Sequence, residues 1–277
     1  MKKSIARNYI YNLTYQILVI ILPIITAPYL ARTLGPEGTG IYSYTISIVT
    51  YFILFGSLGI AMYGQREIAF NQDNKEKKTN IFFSIVILRC ITMSISMIIF
   101  YFTFARTGEF STYYKILLLE MFANIIDISW FYQGIEEFKK TATRNIIVKI
   151  LSVVFIFIFI KNPNDVFKYL LIYVVTTLFG NVALWINLKK YIGKITFKGI
   201  KLTKHLKSTI VLFIPQVAIQ VYTVLDKTMI GAILNDMTEV GYYEQSQKII
   251  KILLTIITSL GTVMMPRIAK CYAEGKN

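Results

Sequence analysis

Charge is what this sequence has least of. Only 16% of its 277 residues are charged, acids number 15, and histidine occurs once, at His205. A soluble domain would carry about a quarter charged residues. Cysteine occurs twice, at Cys90 inside an apolar run and at Cys271 near the C-terminus, so no disulfide framework or metal-spaced cluster is expected. His205 falls in a lysine-rich stretch with no second ligand nearby, and it reads as a solvated loop residue. No glycine-rich phosphate loop follows a strand-like run. These shortages leave no enzymatic constellation, and the chain is expected to be neither an enzyme nor a cofactor carrier.

What the sequence does have is apolar length. Hydrophobic residues make up 55% of it and the mean hydropathy is +0.55. Eight apolar spans, the fifth of them short, read as helices: Tyr9–Leu30, Ile41–Tyr63, Ile81–Phe104, Tyr113–Gln133, Asn145–Ile160, Val166–Leu188, Thr209–Leu234 and Gly241–Met265. An all-α polytopic membrane protein is therefore expected. The formal net charge of +15 might suggest nucleic acid, but its placement argues for topology instead. Counting connections and termini, 20 basic residues lie on one side and 4 on the other. That asymmetry predicts the basic side, with both termini, in the cytoplasm. The same faces are expected to attract anionic lipid headgroups.

Several spans carry charges at membrane depth, where a charge is costly unless it faces protein or water. The eighth is apolar only from Ile252 to Met265, about 21 Å of helix against a hydrocarbon core of about 30 Å. It must draw in Lys248 and Lys251, with Glu244 on the same face. Its partner holds Asp226 and Lys227, which point about 100° apart, so one of them is expected to meet Glu244 or Lys248 across the hairpin. Arg89 lies roughly 12 Å into the third span. The fourth places Glu120, Asn124 and Asp127 on one face, with Asp127 near the depth of Arg89, and a pair between those two is expected. Arg89, Lys227, Lys248 and Lys251 are the candidate cations of a polar path. For Lys248 the competing role is snorkelling to the interface. The acids Glu120, Asp127, Asp226 and Glu244 have two open roles, coupling a proton or sodium ion and structural pairing. Asn12, Gln16, Gln216 and Gln220 make polar helix faces suited to interhelical hydrogen bonds.

The N-terminus resembles a signal-peptide start, but its apolar run is too long and it reads as an uncleaved first span. Gly56, Gly59 and Gly64 are available for close helix contact, and Trp185 reads as an interfacial anchor. Residues 1–188 are expected to form a six-helix lobe, 189–207 a basic cytoplasmic linker, and 208–277 the first two helices of a second lobe. A shift of 200–201 positions supports this division: it lays Gln16 on Gln216, Gly40 on Gly241, Tyr42 on Tyr243 and Arg66 on Arg267. A parallel repeat of six helices follows, as transporters commonly use, with substrate at the repeat interface. On that count the chain is expected to be a piece of a protein of at least twelve spans.

Three stretches carry a family resemblance. They are the turn from Ala31 to Tyr42 (ARTLGPEGTGIY), Trp130 to Glu136 (WFYQGIE) leading into Arg144-Asn145-Ile146, and Pro215-Gln216 followed by Asp226-Lys227-Thr228-Met229-Ile230-Gly231. Together they resemble the bacterial flippases for O-antigen, capsule and exopolysaccharide repeat units, within the multidrug/oligosaccharidyl-lipid/polysaccharide exporter superfamily. The resemblance implies a MATE-like fold of two six-helix lobes around a central cationic cavity in the bacterial cytoplasmic membrane. It also implies movement of an undecaprenyl-diphosphate-linked oligosaccharide, driven by an ion gradient. The implied partners are the lipid bilayer, the polyprenyl-diphosphate-linked glycan, a polysaccharide polymerase and glycosyltransferases. Two alternatives are an ion-coupled multidrug exporter and a cell-wall lipid-precursor flippase. The exporter would favour a net acidic cavity, and the membrane-depth cations here point the other way.

Overall fold

A computed structural model of the chain describes residue 18, residues 21–193, residues 202–251 and residue 254. Among the described residues the architecture is helical, with no strand. Helix α1 covers residues 21–33, α2 Gly35–Ser57, α3 Ile60–Phe70 and α4 Lys75–Phe100. They are followed by α5 Ser111–Ile125, α6 Ser129–Gly134, α7 Phe138–Phe159, α8 Val166–Ile186 and α9 Leu202–Leu234, and then α10 over residues 237–251. Six of the eight expected spans lie among the described residues as stretches long and apolar enough to cross a membrane. The first and last run into residues outside the described set, as do Asn12, Gln16, Arg267 and Cys271.

Breaks fall where local chemistry supplies them. Leu58 and Gly59 both take left-handed backbone angles (φ 45° and 72°) and separate α2 from α3 within one span. Asn74 caps α4 by accepting from the Lys77 amide at 2.9 Å. Asp127 breaks the fourth span, its Oδ1 accepting from the Ser129 amide at 2.9 Å as α6 starts. At the opposite end of the bundle Asn162 and Asp165 form a capping box ahead of α8, and Asp165 also pairs with Lys168 at 2.7 Å.

The core divides into clusters stacked along the bundle. One sits among α2, α4, α5 and α8, around Val49, Met93, Phe100, Leu117, Met121 and Val174. A second, built on Ile60, Phe82, Trp130, Phe131 and Leu184, closes the basic end. A third, with Leu30, Leu34, Ile160 and Val166, ties α1 to the α7–α8 turn. Helix α7 buries little: 11% of its most apolar window lies inside the protein. Its exposed Ile150, Val154 and Ile158 suit an acyl-chain environment rather than water.

Two expectations change here. Helix α7 starts at Phe138, seven residues before the expected Asn145, because nothing in Lys139–Arg144 breaks helix once Glu136 (φ 61°) has turned the chain. Helix α9 starts at Leu202, so the last residues of the expected linker are helical, and residues 194–201 lie outside the described set. His205 is consequently not a solvated loop residue. It is 4% exposed, and its Nδ1 lies 2.8 Å from the Tyr63 hydroxyl of α3.

Candidate functional site

The first hairpin and its shifted copy meet directly. A Cβ added to Gly40 of α2 would collide with the Met237 carbonyl, and one added to Gly241 of α10 would collide with the Pro36 carbonyl. Residues 36 and 40 differ from 237 and 241 by 201 positions each, so the contact is reciprocal, as across a two-fold axis. One turn along, Ser43 Oγ donates to Glu244 Oε2 at 2.8 Å, again 201 positions apart. The register read from the sequence is thus the register in which the two hairpins pack.

Charges gather on this seam. Glu244 is 8% exposed and forms an ion pair with Lys227 of α9 and a second, at 3.4 Å, with Lys248 one turn along its own helix. The expected pairing across the hairpin is therefore Lys227 with Glu244. Asp226, pointing elsewhere and exposed, accepts from the Tyr243 hydroxyl, which in turn accepts from Gln247 at 3.0 Å. Gln216, Gln220, Thr223 and Lys227 recur at helical spacing along α9, a half-buried polar stripe leading to the seam. Lys251 lies one turn beyond Lys248 and is exposed. Between α2 and α8, Tyr42 packs against Tyr169 at 4.4 Å and edge-on to Tyr173 at 6.5 Å. The Tyr173 hydroxyl donates to the buried Glu120 Oε1 at 3.2 Å, while Oε2 has no partner among the described residues.

Tyr169 shares a face of α8 with Thr176, Gly180, Ala183 and Asn187. Below Tyr169 that face lines a trough of about 830 Å³ between α7 and α8. Its walls are apolar, with Ile147, Leu151, Phe155 and Phe179 among them, and the Ser152–Thr176 hydrogen bond of 2.8 Å joins the two helices. Gly180 gives Arg144 and Val148 room to lie against α8; a Cβ there would stand 3.1 Å from Arg144 Cδ. The mouth is ionic: Lys139, Lys140 and Arg144, with Glu137 beside them. The Lys140 ammonium lies 5.6 and 5.1 Å from the ring centres of Tyr132 and Tyr191, an aromatic cup for a cation. Burial and the neighbouring Glu137 push the Tyr191 hydroxyl above its usual range.

The structure redistributes the deep charges of the third and fourth spans. Arg89 and the Asp127 carboxylate do not pair. Arg89, 4% exposed, donates to the Asp127 main-chain carbonyl at 2.8 Å and to Asn124 Oδ1 at 2.5 Å. The Asp127 carboxylate turns to Arg144 at 3.2 Å. The reason is the early start of α7, which brings a second cation onto the same acid. Arg89 accordingly braces the break between α5 and α6. Trp185 is likewise no free interfacial anchor, since its Nε1 donates to the Ile126 carbonyl at 2.7 Å. Sequence reasoning missed Ser43, Tyr42 and Tyr173, whose roles rest on contacts more than 100 residues apart or between helices. It also missed Arg144 and Lys140 as site residues, for which the signal was the WFYQGIE motif leading into them.

Comparisons with known proteins fit this architecture. A protein of Escherichia coli K12 described as "Putative O-antigen transporter" is 28% identical over 273 residues, covering 97% of this chain and 66% of that protein. One of the same description from Shigella dysenteriae is 21% identical over 254 residues, covering 90% of this chain and 64% of the relative. The chain thus spans about two thirds of the length of these relatives. The solved MATE multidrug transporter DinF-BH superposes with a TM-score of 0.66 at 14% identity, over 98% of this chain and 66% of that one. The reciprocal hairpins and apolar spans are therefore part of a MATE-like exporter fold. The profile described as "Polysaccharide biosynthesis protein" matches residues 5–272, nearly the whole length over which that fold is built, and the chain belongs to that family.

Proposed function

We propose that the full protein is a flippase that carries an undecaprenyl-diphosphate-linked oligosaccharide across the cytoplasmic membrane for surface polysaccharide assembly. The observation that carries this reading is the trough between α7 and α8, apolar along its walls and cationic at its mouth, beneath a charged seam between the two hairpins. An amphipathic anion needs both halves of that arrangement. Its chain is kept from water by the walls, and its phosphates take charge-assisted hydrogen bonds from lysine and arginine. The family and the names of the relatives agree with such a cargo.

In this reading the basic end of the bundle faces the cytoplasm, where precursor is made, in line with the excess of lysine and arginine there. Lys227, Lys248 and Lys251 are the cations of the path at the lobe interface, and Glu244 holds the first two until substrate or a coupling ion displaces it. Polysaccharide polymerase and glycosyltransferases are the partners on the two sides of the membrane. The multidrug reading fits less well, because cations outnumber acids along the seam and at the trough mouth. The test is complementation in a strain lacking its own O-antigen transporter. Expression of the full protein should restore surface polysaccharide. Continued build-up of lipid-linked units in the inner leaflet, with the protein present in the membrane, sinks the reading.

A further inference from the structure

The trough that carries the flippase reading can be assigned, residue by residue, to one part of the cargo. It runs from Arg144 to Phe155 along α7, eleven residues or about 16 Å, which is enough to seat the first few isoprene units next to a diphosphate. The Ser152–Thr176 hydrogen bond holds α7 and α8 together, so the space is an open groove along the seam of two packed helices. The head end offers more than one cation. Lys139 and Lys140 are adjacent, and Arg144 adds a guanidinium whose Nη2 is engaged by Asp127 while its buried Nε has no partner among the described residues. A diphosphate presents several acceptor oxygens and more than one negative charge, whereas a phosphate diester presents a single charge. Glu137 also stands at the mouth and disfavours anions there, so the lysines must outweigh it.

We propose that the α7–α8 trough seats the isoprenoid diphosphate anchor of the substrate, with the diphosphate at Lys139, Lys140 and Arg144 and the chain along Leu151, Phe155 and Phe179. This rests on the flippase reading for the identity of the cargo, and on the trough itself for the place. The anchor enters from the cytoplasmic leaflet with its head at the basic end, and the sugar, attached beyond the diphosphate, stays in water.

Farnesyl diphosphate is a soluble probe, and its binding to the full protein in detergent can be followed by calorimetry. The double variant K139Q/K140Q should weaken binding about thirtyfold, two surface cations' worth. Ala183→Phe, which fills the trough, should weaken farnesyl diphosphate and leave inorganic diphosphate unchanged. Should Ala183→Phe fail to fold, the lysine pair at the mouth decides alone. Equal affinity for inorganic and farnesyl diphosphate overturns the proposal, and so does parent-like binding by the lysine variant. Displacement of the probe by phosphatidylglycerol on equal terms also overturns it, marking a general lipid surface. A protein that binds the probe here yet fails complementation keeps the isoprenoid-diphosphate site and loses the flippase reading; the reverse result keeps the flippase reading and loses the site.

Discussion

Arg89 is a buried guanidinium that donates to two neutral acceptors on one neighbouring segment, the Asn124 amide oxygen and the Asp127 carbonyl. Replacing it with leucine leaves both acceptors unpaired in the packed interior, and a loss of about 3 kcal/mol is expected. Lysine should recover little, because a single ammonium cannot span two acceptors as the planar fork does. Thermal unfolding of the detergent-solubilised protein checks both variants. Depth along the helix could be counted from the sequence, which is why Arg89 and Asp127 come out at one level. Which group each would choose could not be read there. The answer depends on Arg144 arriving from α7, and no spacing within the third or fourth span contains it.

Helix ends carry the next lesson. The capping box at Asn162 and Asp165 is legible as residue types, and it fixes where α8 begins: Asp165 Oδ2 accepts from the amides of Lys161 and Asn162 at 2.8 and 3.0 Å. Asp165→Ala should cost about 1–2 kcal/mol, and Asp165→Asn less, since the amide oxygen keeps part of the cap but loses Lys168. A lowered unfolding midpoint, with hydrogen exchange rising first in residues 161–168, would bear this out. The starts of α7 and α9 were harder. Both open on lysine-rich stretches that hydropathy assigns to loops, yet lysine is a good helix former, and neighbouring helices decide. Tyr63 across from His205, and Tyr132 and Tyr191 around Lys140, supply polar and aromatic partners that draw these turns into the bundle.

At the scale of the whole molecule, the alternation of apolar runs and basic connections made the bundle readable, and the 201-residue shift made the seam readable. The charges of the last hairpin narrowed its pairing to Asp226 or Lys227 with Glu244 or Lys248, and the structure selects Lys227 with Glu244. That pair can be tested by its asymmetry. Glu244→Met alone strands the buried ammonium of Lys227, and a cost of about 3 kcal/mol is expected; adding Lys227→Met should recover most of it, because the pair as a unit is nearly neutral against apolar packing. A double variant no more stable than the single one would show that Lys227 has found another acceptor.

The Ser43–Glu244 contact has a consequence for which residues the seam can hold. Positions 43 and 244 are 201 apart, the spacing of the other seam contacts, so each faces its counterpart across a two-fold-like axis, and a residue used at both would meet its own kind. Two glutamates would set like charges against each other in an apolar surrounding, and one would have to give up its ionisation. Two serines would leave Lys227 with no anion. A hydroxyl on α2 facing a carboxylate on α10 lets the two helices close on one another while Lys227 stays neutralised, so an unequal pair suits a contact that a two-fold arrangement would otherwise make equal.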